Sequence, residues 1–261
     1  MREYTKIELR KDSGVASIML NSPRTMNALE DVLFAELQEA TSDVAADDAI
    51  GAVIITGSGC AFCAGGDLNR FAKGFSPEEG YSYMKAFAPW VKAFAGMPKP
   101  TIAAVNGYAV GAGFCIAMQA DIIIASREAK FGMAFANVGL IPDLGGLYVL
   151  PRLAGLQKAK ELVFTGQNIS AEEARNIGIV NSVVEPDLLE AESYKLARQL
   201  ADGPRAAHRM AKLLINNSPN MTLDQLLEQE ALIQSQCIQT DDHKNAVKSF
   251  FKKEKPVFRG I

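Results

Sequence analysis

The chain has 261 residues, 48% hydrophobic and 22% charged, an ordinary make-up for a folded globular protein. At this length folding takes roughly three quarters of the unfolded surface out of water, so no disulfide or metal staple is needed. With 27 basic and 30 acidic residues the net charge is −3, which argues against nucleic acid or an anionic membrane as the principal partner. Four cysteines are too few for a disulfide framework. Met1 to Arg10 holds no apolar secretory core, and Arg259-Gly260-Ile261 matches no lipidation or retention signal. A cytoplasmic protein is therefore expected.

In chain order, Ile7-Glu8-Leu9 and Val15 to Leu20 flank Asp12-Ser13-Gly14, which predicts an opening hairpin. After Asn27, the four-residue spacing of Leu29, Leu33 and Leu37 predicts a helix. Ala52 to Thr56, ending at Gly57, reads as a buried strand. A long helix is predicted from about Pro77 to Ala95, closed by Pro98-Lys99-Pro100. Thr101 to Val105 repeats the strand and meets Gly107. Both strands lead into small residues that open a helix, Ala64-Gly65-Gly66 and Gly111-Ala112-Gly113, a faint repeat at about fifty residues. Ile122 to Ala125 is a third strand and Ala129-Lys130-Phe131 a fourth. Pro100 to Ala120 is uncharged and long enough to span a bilayer, but its glycines, Asn106 and Gln119 fit a buried strand, turn and helix better. Ser170-Ala171-Glu172-Glu173 is a capping box with Gly178 past the helix end. Helices then run from Asp187 through Leu200, Pro204 to Ile215, Leu223 to Cys237 and Asp242 to Lys253. Strands first and helices later predict an α/β core over residues 1–200 and a helical region over 201–261.

Small residues at a helix start leave backbone N–H groups open, and two such starts can converge on one carbonyl oxygen as an oxyanion hole. The same glycines equally serve tight turns and close helix packing. Asp143 is the only charged residue between Phe131 and Pro151. A carboxylate in apolar surroundings has its pKa raised, which suits a general base or acid. Pro142-Asp143 before Leu144-Gly145-Gly146 is also a fair helix N-cap. Cys60-Ala61-Phe62-Cys63 has redox spacing, but there is no second pair, and His208 and His243 lie far along the chain, which argues against zinc. Cys115 is a nucleophile only if its pKa is lowered, and is otherwise a buried thiol. Asp67 and Asp121 read as caps or turn-holders, and Trp90 with the aromatics between Phe71 and Phe94 as core or pocket wall. Lys252-Lys253-Glu254-Lys255 with Arg259 forms a solvated tail or a phosphate contact.

Taken together these residues resemble the enoyl-CoA hydratase/isomerase family, the crotonase superfamily, over nearly the whole chain. Ala61 to Leu68 looks like its first oxyanion motif, Asn106 to Gly113 its second, and Phe131-Gly132 through Gly139-Leu140-Ile141-Pro142 and Gly145-Gly146 its third signature. Met26-Asn27-Ala28-Leu29, Leu162 to Gly166 and Phe250 to Phe258 fit as well. The resemblance implies an α/β spiral of ββα units with a C-terminal helical trimerisation region, as a homotrimer or a dimer of trimers. It implies an acyl-CoA thioester substrate, with coenzyme A as part of that substrate and no other cofactor. By position, the oxyanion donors are the N–H groups of Gly66 and Ala112. Ala64, Asp67, Leu68 and Asn69 line the CoA entrance, with Arg24 and Met26 near the nucleotide. Phe250 and Lys253 match positions that reach a neighbouring subunit's CoA.

Hydratases of this family carry glutamates in the second and third motifs, where this chain has Cys115 and Phe135. Adding water needs one group to activate it and a positioned proton for the α-carbon. Moving a double bond needs one base and an oxyanion hole. Asp143 stands where certain isomerases of the family have an aspartate, among them those acting on epoxyphenylacetyl-CoA. An isomerase is therefore expected, acting from Δ3 to Δ2 or on the epoxide, with an atypical hydratase or a non-catalytic acyl-CoA binder as alternatives. An aryl-CoA dehalogenase would use Asp143 as nucleophile but wants a histidine near the first motif. Phe71, Phe75, Tyr81, Phe87 and Phe135 suggest a roomy apolar acyl pocket.

Overall fold

In the computed structural model, which describes residues 4–260, Ser13 and Gly14 both have positive φ, 48° and 82°. A two-residue hairpin turn of the I′ type demands this, and it joins β1 (Ile7–Asp12) to antiparallel β2 (Val15–Leu20) as the sequence predicts. Of the terminal readings, Met1 to Glu3 and Ile261 lie outside the described residues. The first helix differs from its prediction. Leu29 forms a β-bridge with Gly66, and α1 (Asp31–Ala46) starts only afterwards, with Leu33 and Leu37 fully buried. Leucine spacing alone does not tell a helix from the chain entering it.

One pattern then runs three times. β3 (Ala52–Gly57) leads to β4 (Ala61–Cys63) and α2 (Leu68–Ala72). After α3 (Pro77–Lys85) and α4 (Ala88–Ala95), β5 (Thr101–Val105) leads to β6 (Tyr108–Val110) and α5 (Ala112–Met118). β7 (Ile122–Ser126) leads to β8 (Lys130–Gly132) and a 3-10 turn, Ala134–Val138. In each round the first strand adds in parallel to one sheet and the second to another. The six-stranded sheet has the order β1-β2-β3-β5-β7-β10 and the four-stranded sheet β4-β6-β8-β9, so the chain advances as a spiral. The rest comprises α6 (Gly146–Ala154), α7 (Leu156–Thr165), β9 (Asn168–Ser170), α8 (Ala171–Asn176), β10 (Ser182–Val184) and four helices: α9 (Leu189–Ala201), α10 (Arg205–Asn217), α11 (Leu223–Gln239) and α12 (Asp241–Lys252).

Alternation along the strands separates two cores. Val53, Ile55, Ala103, Val105, Ile123 and Ala125 face the main core with α1, α4 and α5. Ala52, Ile54, Ile102, Ala104 and Ile124 face α9, meeting Leu189, Ala197 and Ala201. Both sheet faces are covered, which is why these strands read as continuous apolar runs. Each fully buried Val, Leu or Ile contributes about 1.5–3 kcal/mol. The helix predicted from Pro77 to Ala95 is two helices, since Pro89 has no N–H to continue the ladder and sits instead in the first turn of α4. The Ser170 capping box opens α8 and Gly178 follows it with φ 83°.

The uncharged stretch from Pro100 to Ala120 is β5, β6 and buried α5. Among the described residues no helix is long and apolar enough to cross a membrane. α10 is tied to the spiral by Lys212, whose Nζ donates to Asp121 Oδ2 (2.7 Å) and the Lys99 carbonyl (3.1 Å). The tail returns to α12, where Asp242 accepts from Arg259 N (2.7 Å) and Gly260 N (2.8 Å).

Candidate active site

The first two rounds of the spiral bring their glycine turns into contact. Asn27, at φ 57°, accepts from Ser22 N (2.8 Å) and donates to the carbonyls of Ser58 (2.9 Å) and Ala61 (2.8 Å). It is fully buried and fixes the segment against which the first turn lies. Ala64 N then donates to Met26 O (2.9 Å) and Leu29 N to Gly65 O (2.8 Å). Gly65 has φ 104°, and a Cβ there would stand 2.9 Å from Val110 O. A Cβ on Gly113 would overlap the Cys63 carbonyl. The turns therefore meet backbone to backbone, and side chains at either glycine would push them apart. Ala112, the first residue of α5, has an N–H with no intrahelical acceptor.

The third element is the turn before α6. Gly145 (φ 78°) is the residue that caps α6, without a side-chain hydrogen bond, so Asp143 does not serve as the N-cap that its sequence position allows. Its Oδ1 is buried and has no hydrogen-bond partner among the described residues. Burial pushes the carboxyl up to about 6, with its own backbone N–H pulling the other way. Leu144 follows at φ 46°, a left-handed conformation that costs a non-glycine residue about 1–2 kcal/mol. The turn is held by Gly146 N donating to Asp143 O (2.7 Å) and by Gln119 Nε2 donating to Leu144 O (2.7 Å).

Gly66, Ala112 and Asp143 line one cavity. Leu29, Phe71, Tyr83, Met84, Phe87 and Leu144 complete its wall and leave about 10 Å3, room for about one water. The roomy pocket expected from the aromatics is thus not open. Tyr83 packs against Phe71 (6.1 Å between centroids), Phe75 (5.1 Å) and Phe87 (5.3 Å), so the rings fill the space with one another. Phe75 stands behind this wall, with the Arg70 guanidinium 4.2 Å from its ring centre. Tyr81 is exposed and lines nothing here. Trp90 is core, donating to Thr41 Oγ1 (2.9 Å) and stacking on Phe94.

Of the residues expected at the CoA entrance, Ala64 and Asp67 are half-buried while Arg24, Met26, Leu68 and Asn69 are exposed, and none of the six lines the cavity. Asp67 caps α2, accepting from Asn69 N (2.9 Å), as read from sequence. Asp121 is the expected turn-holder, accepting from Thr101 N (2.8 Å) and Oγ1 (2.9 Å). Phe250 and Lys253 are exposed at the end of α12 and do not line the cavity. Phe135 is buried with its ring 3.9 Å from a Cβ on Gly111. Cys115 is fully buried, and burial followed by the Asp143 charge holds its thiol well above the ordinary value, so it is no nucleophile. Cys63 is pushed up to about 12 by burial, Cys60 is exposed, and both are free thiols.

Met84 carries no signal in the sequence; Tyr83 is read there only among the aromatics between Phe71 and Phe94, Leu29 and Leu144 only within helix, motif and cap patterns, and Gln119 only as a polar residue of the uncharged stretch. Tyr83 precedes Phe87 by four residues, a helical face signal that the break between α3 and α4 obscures. Nothing local marks Gln119, since its partner is 25 residues away.

The family model for enoyl-CoA hydratase/isomerase matches residues 10–260. The chain is 40% identical over 252 residues to 1,2-epoxyphenylacetyl-CoA isomerase of Escherichia coli K12, covering 95% of this chain and 96% of that one. It is 36% identical over 254 residues to short-chain-enoyl-CoA hydratase of Clostridium acetobutylicum, covering 97% of each. The crystal structure of an enoyl-CoA hydratase subunit from Geobacillus kaustophilus superposes with a TM-score of 0.94 at 35% identity, all of both chains being covered. The two-sheet spiral, the meeting glycine turns and these full-length matches make the chain an α/β enzyme of crotonase fold and a member of the enoyl-CoA hydratase/isomerase family.

Proposed function

We propose that this enzyme is an acyl-CoA isomerase that moves a double bond from Δ3 to Δ2, with Asp143 as the single proton shuttle. The carrying observation is that Asp143 is the one carboxylate lining the cavity shared by Gly66 and Ala112, and its pKa is raised to about 6. At neutral pH it is ionised and is a stronger base than an ordinary carboxylate. It takes the α-proton of a 3-enoyl thioester. The electron pair moves to the thioester oxygen, where the N–H groups of Gly66 and Ala112 hold the dienolate. The same carboxyl returns the proton to the γ-carbon, leaving the double bond between α and β. Water is neither added nor lost, and no cofactor is called for.

Two positions support isomerisation over hydration. Cys115 is a buried neutral thiol and Phe135 a buried ring, so neither supplies the second acid or base that hydration wants. Isomerisation of an epoxyphenylacetyl-CoA is the second form of this reading, supported by the E. coli relative and by the aromatic wall of Phe71, Tyr83 and Phe87. Purified enzyme is to be given 3-hexenoyl-CoA and crotonyl-CoA in parallel, followed by thioester absorbance and product chromatography. Conversion of the first without hydration of the second is expected, and Asp143→Asn is expected to lower kcat by about 10²–10⁴ with acyl-CoA affinity within a few-fold. Full activity in that variant, or hydration of crotonyl-CoA at a comparable rate, overturns the reading.

The assembly we propose is a homotrimer or a dimer of such trimers, closed by the C-terminal helices. Leu213, Ile215, Leu227, Leu232, Phe250 and Phe251 are exposed on α10 to α12, large apolar side chains that a neighbouring subunit would cover. Light scattering of the purified chain is expected to give three or six times the monomer mass. In such an assembly Phe250 and Lys253 would reach a neighbour's CoA.

A further inference from the structure

We infer that Gln119 is a positioning residue for Asp143, and that one face of α5 sets the distance between the oxyanion site and the base. The inference rests on the assignment of Asp143 as the proton shuttle. Ala112, Cys115 and Gln119 are spaced by three and four residues, so they lie along one side of this two-turn helix and its C-cap. Ala112 lines the cavity at one end. At the other end Gln119, itself buried, donates to the Leu144 carbonyl at 2.7 Å. Between them Cys115 lies against Gly146, where an added Cβ would stand 2.5 Å from Sγ.

Among the described residues no side-chain donor aims the Asp143 carboxylate: Oδ1 is unpartnered, and the one hydrogen bond acting on the carboxyl comes from its own backbone N–H. Its place therefore depends on the backbone of the turn 143–146. That turn contains Leu144 at φ 46° and Gly145 at φ 78°, a conformation that relaxes unless its surroundings hold it. A Cβ on Gly145 would stand 2.8 Å from Gln119 Nε2, so the amide fills the inside of the turn as well as bonding to it. Removing the donor leaves a buried carbonyl unpaired and the left-handed leucine held only by the Gly146 N to Asp143 O bond across the turn. The turn then opens toward water and carries the carboxylate away from the α-carbon.

The test is Gln119→Met, which keeps length and volume and loses the N–H. It is assayed with 3-hexenoyl-CoA across pH beside Asp143→Asn. We expect kcat to fall ten- to a hundredfold with KM within twofold. The acid limb of kcat/KM is expected to move from near pH 6 toward the ordinary carboxylate value, because a carboxylate that gains water ionises more readily. A purely structural role would lower the melting temperature and leave both the limb and the kcat-to-KM split unmoved, and that result overturns the inference. Should Gln119→Met not fold, Gln119→Asn, whose amide ends one methylene short, is expected to show the same kcat-only loss and shifted limb. Unchanged kinetics there also overturn it. An inactive Asp143→Asn beside a normal Gln119→Met refutes the positioning role alone. A fully active Asp143→Asn refutes the base itself, and the inference falls with it.

Discussion

At Asp143, stability and activity pull in opposite directions. The folded carboxyl titrates near 6 against an ordinary value of 3.8, so the folded state binds the proton more tightly than the unfolded chain. Stability from this group is fully present below pH 3.8 and is lost as pH rises through 6, at a cost of about 3 kcal/mol at pH 7. Asp143→Asn is therefore expected to raise unfolding free energy at pH 7 by about 1–3 kcal/mol, and to give no gain below pH 4, as read by urea titration at both pH values. Activity runs the other way. Proton abstraction needs the ionised form, so kcat/KM should fall tenfold per pH unit below about 6. A pH profile flat down to pH 4 would refute that. The residue was legible in the sequence because it is the sole charge in a long apolar stretch. That its Oδ1 is buried without a hydrogen-bond partner among the described residues and that it does not cap α6 were not, because both depend on where the turn lies.

Among elements, the contact between the two glycine turns is the one that joins the proposed oxyanion donors. Gly113→Ala would drive a methyl into the Cys63 carbonyl, with backbone on both sides and nothing flexible to yield. We expect a loss of about 1–3 kcal/mol by chemical denaturation, and a larger fractional loss of kcat than of acyl-CoA affinity. A second element contact is purely structural. Thr41 on α1 receives the Trp90 indole N–H of α4, and Thr41→Val leaves that buried donor unpaired. The expected cost is about 1–3 kcal/mol with kinetics unchanged. The sequence marked both glycine clusters and the strands before them, because a close backbone approach leaves small residues behind. The breaks at Leu29 and between α3 and α4 escaped it, since apolar spacing continues across both.

Across the whole molecule, the helical C-terminal region is joined to the spiral by few polar ties. Lys212 is largely buried, and burial lowers its pKa while the Asp121 carboxylate raises it. Its side chain is 10% exposed against 25% for Asp121, so the pair is partly sheltered from screening. Lys212→Met should cost about 2–3 kcal/mol in urea, less than a fully buried broken pair, because Asp121 keeps its Thr101 donors. A cost below about 0.5 kcal/mol would mean that α10 is seated by apolar packing together with the Arg205 bond to Asp48 O and the Asn216 bond to Ala95 O.

What the sequence determined by itself is what local chemistry dictates: buried strands as apolar runs, turns at Ser13-Gly14 and Gly111, the Ser170 capping box, and a lone carboxylate in an apolar stretch. The order of motifs along the chain determined the family. Tertiary structure decided which of these meet. Asp143 shares a cavity with Gly66 and Ala112, from positions 77 and 31 residues earlier, only because each round of the spiral stacks on the last. It decided that the aromatic wall is closed, since Tyr83 joins rings that sequence spacing does not bring together. It decided too that Cys115 is inert and that Gln119 grips Leu144, because burial and a partner 25 residues away are properties of packing, and packing has no period in sequence.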